Sequence, residues 1–102
     1  MSDAHNEAAT LHLRLYVMGN APKSRQAVEV ATRLCRTTLL GRSTLDVVDL
    51  RQNPERTRDE VLVGVPTLVR LAPKPQCRIV GRIQGVRQLA EALGVDAGSV
   101  DG

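Results

Sequence analysis

Phenylalanine and tryptophan are missing from this 102-residue sequence, and Tyr16 is its only aromatic residue. The interior must be built from Leu, Val, Ile and Ala, and the aromatic platforms on which single-stranded nucleic acids stack have no material here. Sulfur is scarce as well. Cys35 and Cys77 are too few and too far apart for a disulfide framework, and with His5 and His12 they form no metal-ligand spacing. No apolar run approaches the roughly 20 residues of a membrane span. Residues 1–10 (MSDAHNEAAT) lack the basic and apolar regions of a secretory signal. Both absences point to a cytoplasmic location. Gly-x-Gly and Gly-Lys-Ser/Thr patterns are absent too, so no glycine-rich phosphate loop is expected, and no cofactor.

Acidic residues are thin within the body of the chain. All 14 Lys/Arg lie between Leu11 and Val95, whereas four of the 11 acidic residues (Asp3, Glu7, Asp96 and Asp101) lie outside that stretch. The body therefore carries a net charge of about +7 at neutral pH. Twelve of its cations are Arg, the residue suited to bidentate pairing with carboxylate or phosphate. An acidic protein surface fits this excess; nucleic acid is disfavoured by the missing aromatics.

The length supports one compact domain, expected over residues 11–95, between a disordered leader (1–10) and a flexible tail (96–102). Leu11, Leu13, Leu15 and Val17 alternate with polar or amphipathic residues, which predicts a strand with one apolar face. On its other face the Tyr16 ring is expected to pack and its hydroxyl to show. Gly19-Asn20 turns the chain, and Pro22 suits the first turn of a helix. Ala27, Val28, Ala31, Leu34, Cys35 and Thr38 form that helix's apolar stripe. Leu45–Leu50 reads as a second strand, parallel to the first by the right-handed crossover rule. Asn53-Pro54 opens a highly charged stretch able to form a short helix before Val61-Leu62-Val63.

Val65-Pro66 precedes a short apolar strand, Leu68–Leu71, and is a candidate cis bond. Ala72-Pro73-Lys74-Pro75-Gln76 is a turn that neither a helix nor a central strand accommodates. Cys77–Ile83 follows as an antiparallel edge strand. Val86, Leu89, Ala90 and Leu93 then stripe a last helix, with Gly94 as its cap. The order is βαβ(α)ββα with a proline ahead of the third strand, so the predicted fold class is α/β, thioredoxin-like, in a single domain. A redox enzyme of that architecture carries cysteine where the first strand meets the first helix. Here that loop reads Gly19-Asn20-Ala21-Pro22-Lys23-Ser24, with no sulfur. Ser24 reads as a helix-terminus residue rather than a nucleophile. The reading that remains is a binding module, not an enzyme; a thiol oxidoreductase is the weaker alternative.

Three segments together carry a resemblance: Leu13-Arg14-Leu15-Tyr16-Val17-Met18-Gly19-Asn20-Ala21-Pro22-Lys23-Ser24, Val47-Val48-Asp49-Leu50 leading to Asn53-Pro54, and Val65-Pro66-Thr67-Leu68-Val69 running on through Pro73 and Pro75 to Arg78-Ile79-Val80-Gly81. Over residues 11 to 95 the chain resembles the KaiB family of bacterial circadian-clock adaptors. The resemblance implies a non-enzymatic protein that binds a KaiC-type ATPase/kinase ring, with KaiA or a histidine kinase as further partners, and that modulates a phosphorylation cycle. It also implies a metamorphic chain, with a homo-oligomeric (dimeric or tetrameric) alternative in which the second half refolds. A clean amphipathic helix over 86–93 favours the thioredoxin-like state. A regulatory or sensor module working with a histidine kinase or a stress response, without a clock, is the alternative. The residues expected to meet an acidic partner are Lys23 and Arg25, then Arg51, Arg56 and Arg58, and finally Arg78 and Arg82, with Pro66 as the structural turn.

Overall fold

The computed structural model describes residues 10–39, 42–59, 64–81 and 83–95. Its elements run β1 (Leu11–Val17), α1 (Pro22–Thr37), β2 (Ser43–Asp49), a 3-10 turn (Pro54–Asp59), β3 (Thr67–Ala72), β4 (Cys77–Val80) and α2 (Val86–Leu93). Residues 1–9 of the expected leader (1–10), the Val61-Leu62-Val63 run and the tail (96–102) lie outside the described residues.

The four strands form one mixed sheet in the order β2-β1-β3-β4. β1 pairs with β2 in parallel and with β3 antiparallel, and β3 pairs antiparallel with β4. This is the thioredoxin-like arrangement. The period-two pattern of β1 does what it predicts: Leu13, Leu15 and Val17 enter a core with Ala27, Ala31 and Leu34 of α1 and Leu89, Ala90 and Leu93 of α2. Leu68 and Ile79 join them from β3 and β4. Val30 and Ser24 belong to the buried face of α1, while Val28 and Cys35 sit only half-buried at its margin.

The opposite face of the sheet carries a smaller cluster of Tyr16, Val48, Leu50 and Val69. Tyr16 is fully buried, hydroxyl included. The expectation that its hydroxyl would show at the surface is therefore corrected: β1 is a central strand, and Val48, Val69 and Leu50 close around the ring. The second strand starts two residues earlier than the sequence suggests, at Ser43. The fourth stops at Val80 rather than Ile83, because Gly81 takes a left-handed conformation (φ 72°) and its N–H donates to Pro66 O at 2.9 Å. Ile83 turns back into the helical-side core. The Val65–Pro66 bond is cis, as are Ala72–Pro73 and Lys74–Pro75.

α2 is preceded by Gly85, in an extended conformation, and closed by Gly94 with φ 79°. Its last turn is tied to the sheet through side chains of β3 and β4. Arg70 of β3 projects toward the helices, where Nη1 donates to Leu93 O at 2.6 Å and Nη2 to Pro75 O at 2.8 Å. A guanidinium is well matched to that place, since the final carbonyls of a helix lack intrahelical donors and carry partial negative charge.

Candidate partner-binding end of the sheet

The β1–α1 loop, the β2 exit, Gly64–Pro66 and Gly81 meet at one end of the sheet, where β1 and β2 finish and β3 begins. Asp49, the last residue of β2, organises it. Its Oδ1 accepts the Gly19 N–H at 3.0 Å and the Arg51 N–H at 2.9 Å, while its backbone oxygen accepts from Asn53 N and Nδ2. One carboxylate thus joins two loops that are 30 residues apart. Ser24 closes the same loop from the helix side: its buried Oγ accepts the Met18 N–H at 3.1 Å. That hydroxyl satisfies a backbone donor. The loop it holds has no sulfur, and both Cys35 and Cys77 are free thiols on other elements, with Cys77 Sγ donating to Ala92 O at 3.5 Å.

Gly19 has φ 58°, a backbone region that favours glycine, and a Cβ built there would lie 2.6 Å from Arg51 Cδ. The Arg51 side chain therefore lies directly across the loop. Lys23 and Arg25 are exposed on the first turn of α1 beside it. Two apolar side chains show at this end as well, Met18 at 41% and Val80 at 37% exposure, and Val80 lies where a Gly64 Cβ would meet it at 3.5 Å. Met18 and Val80 are thus exposed at this end, and Lys23, Arg25 and Arg51 are the expected cations at or beside the β1–α1 loop. Pro66 is buried, and the Thr67 hydroxyl donates to Gly64 O.

The remaining expected residues stand elsewhere. Arg56 belongs to the 3-10 turn and lies over the sheet, with Nη2 3.7 Å from Asp46 Oδ2; Arg14 Nε donates to the same oxygen at 3.1 Å. Arg58 is exposed further along that turn. Arg78 is exposed on β4 and shares the face of Arg14, because Asp46, Arg14, Val69 and Arg78 form one row across the four strands. Arg82 lies outside the described residues. The Arg14 pKa is raised above its ordinary value, first by the Tyr16 hydroxyl approaching it and then by Asp46, against partial desolvation. Arg14, Asp46, Asp49 and Arg70 were not among the expected site residues. Only the register and the cross-loop bonds bring them out, although the charged β1/β2 pair was readable as a cross-strand neighbour once the parallel alignment was assumed.

Among the described residues there is no cluster of three or more His, Cys, Asp or Glu able to hold a metal ion, and no helix long and apolar enough to cross a membrane.

Comparison with known proteins matches the KaiB domain model to residues 14–94. A circadian clock protein KaiB3 from Synechocystis sp. is 32% identical over 84 residues, 82% of this chain and 80% of the relative. A circadian clock oscillator protein KaiB from Synechococcus sp. is 35% identical over 72 residues, 71% of this chain and 66% of the relative. Among solved structures, the N-terminal domain of Synechococcus elongatus SasA superposes with a TM-score of 0.65 at 25% identity, over 90% of this chain and 85% of that one. Chloroplastic thioredoxin z gives a TM-score of 0.70 at 19% identity, over 91% of this chain and 87% of that one, a likeness of fold alone.

Proposed function

This chain belongs to the KaiB family, and on that premise we propose that it is a non-enzymatic adaptor which docks on a KaiC-type ATPase/kinase ring and modulates its phosphorylation cycle. The observation that carries the reading is the β1–α1 loop: at the end of the sheet where a thioredoxin-like enzyme would hold its thiols, this chain presents backbone closed by Asp49 and Ser24, covered by Arg51. Such an end offers shape and charge. Met18 and Val80 supply a small apolar contact, and Lys23, Arg25 and Arg51 supply a cationic rim for carboxylates on the partner. Arg56, Arg58, Arg78 and Arg82 are assigned to a flanking contact, and KaiA or a histidine kinase to the place of a further partner. The protein works in the cytoplasm.

The test is binding of the full chain to the KaiC-type ATPase of its own cells, read by co-elution and by the phosphorylation state of the ring. Reversing charge with Lys23→Glu and Arg51→Glu together weakens co-elution by at least about tenfold and flattens its gain at low salt. Unchanged co-elution, or turnover of an insulin disulfide by the wild-type chain, overturns the proposal.

A further inference from the structure

The cationic rim does not stop at the loops. Arg25, Glu29, Arg33 and Arg36 are all exposed on α1, and at 100° per residue they fall within about 80° of one another around the helix. Shallow, solvent-open grooves of about 690 Å³ and 350 Å³ run along this face. Among the described residues the first is lined by Pro22, Lys23, Arg25, Gln26, Val28 and Glu29. The second continues it past Thr32, Arg33, Arg36 and Thr37. From Arg25 to Arg36 the row is about 16 Å long at 1.5 Å per residue. Its single carboxylate, Glu29, lies 4.0 Å from Arg33, with both side chains more than 60% exposed. A pair so solvated neutralises little.

We propose that this face of α1 is a docking groove for an elongated acidic segment of a partner protein, seated with carboxylates opposite Arg25, Arg33 and Arg36. Charge complementarity selects the occupant. Four cations (Lys23, Arg25, Arg33 and Arg36) outnumber one carboxylate, and the groove is continuous with the rim at Lys23 and Arg25. Glu29 in the middle of the row repels an unbroken chain of phosphates, and α1 has no aromatic residue on which bases could stack. A protein segment avoids that repulsion by placing a neutral or basic residue opposite Glu29. The inference deepens the adaptor reading and rests on it for the partner being a protein.

The probe is a glutamate-rich peptide as long as α1, titrated into the full chain at low and physiological salt and followed by amide NMR shifts. Expected are shift changes centred on Arg25, Glu29, Arg33 and Arg36, an affinity loss of at least about tenfold in Arg33→Glu/Arg36→Glu, and a gain of about twofold in Glu29→Gln. These positions are exposed, and circular dichroism checks that the variants keep their helices. Shift changes confined to residues 18–24 and 51, an unaltered affinity in the double variant, or equal occupation of the same face by an oligothymidylate would each overturn the inference. Wild-type co-elution with the KaiC-type ring is read separately. Retained co-elution with no peptide on α1 sinks this inference alone; lost co-elution with the peptide seated on α1 sinks only the choice of partner.

Discussion

Each half of this molecule is fastened internally by a charged side chain, and the two act in opposite chemical senses. In the β1–α1–β2 half, Asp49 is a carboxylate that collects backbone N–H groups from Gly19 and Arg51. In the β3–β4–α2 half, Arg70 is a guanidinium that donates to the backbone carbonyls of Leu93 and Pro75. The difference follows from what each place lacks. A tight turn leaves amide donors without acceptors, whereas a helix C-terminus leaves carbonyls without donors. The first half has a second fastening in the 16-residue α1, which packs along the parallel strands. The second half has an α2 of eight residues, below the length at which an isolated helix holds in water. Its order depends on Leu89, Ala90 and Leu93 in the core and on Arg70 at its end.

Replacing each fastening breaks that comparison open. Asp49→Ala removes the acceptor of two hydrogen bonds and is expected to cost about 2–3 kcal/mol of global stability, seen as a lowered urea midpoint with an unchanged slope. A loss well under 1 kcal/mol would show that water replaces the carboxylate. Arg70→Met keeps much of the buried stem and loses both donors; we expect about 1–2 kcal/mol, with amide exchange accelerated over 86–95 ahead of α1. Equal acceleration in both helices would deny that the halves are fastened independently. Gly19→Ala combines a left-handed φ with displacement of Arg51, for about 1 kcal/mol and a measurable fall in partner affinity. The smallest effect belongs to Asp46→Asn, whose pairs with Arg14 and Arg56 are solvent-exposed, at about 0.5 kcal/mol or less in a thermal melt. A backbone NMR assignment showing residues 86–93 as strand in the major species would remove the thioredoxin-like state from its place as the dominant one.

Much of the architecture is legible in the residues because the signals are local. Alternation over Leu11–Val17, the stripe of α1, the paired prolines before β4 and the glycine after Leu93 each act within one element. What is not legible is set by partners far along the chain. Arg70 reads as an ordinary strand arginine until Leu93 O is known to stand beside it. Tyr16 reads as half-exposed until β1 is known to be central. At the candidate site the empty loop and its neighbouring cations, Lys23, Arg25 and Arg51, can be read directly. Their separation from Arg56 and Arg78 cannot, since it depends on which face of the sheet each strand and turn presents.

The lone aromatic ring has an optical consequence. With no tryptophan or phenylalanine in the chain, near-ultraviolet absorbance and circular dichroism arise chiefly from Tyr16, which is sealed between β2, β3 and Leu50. The protein thus carries a built-in, label-free reporter of the thin side of its sheet, and of that side alone.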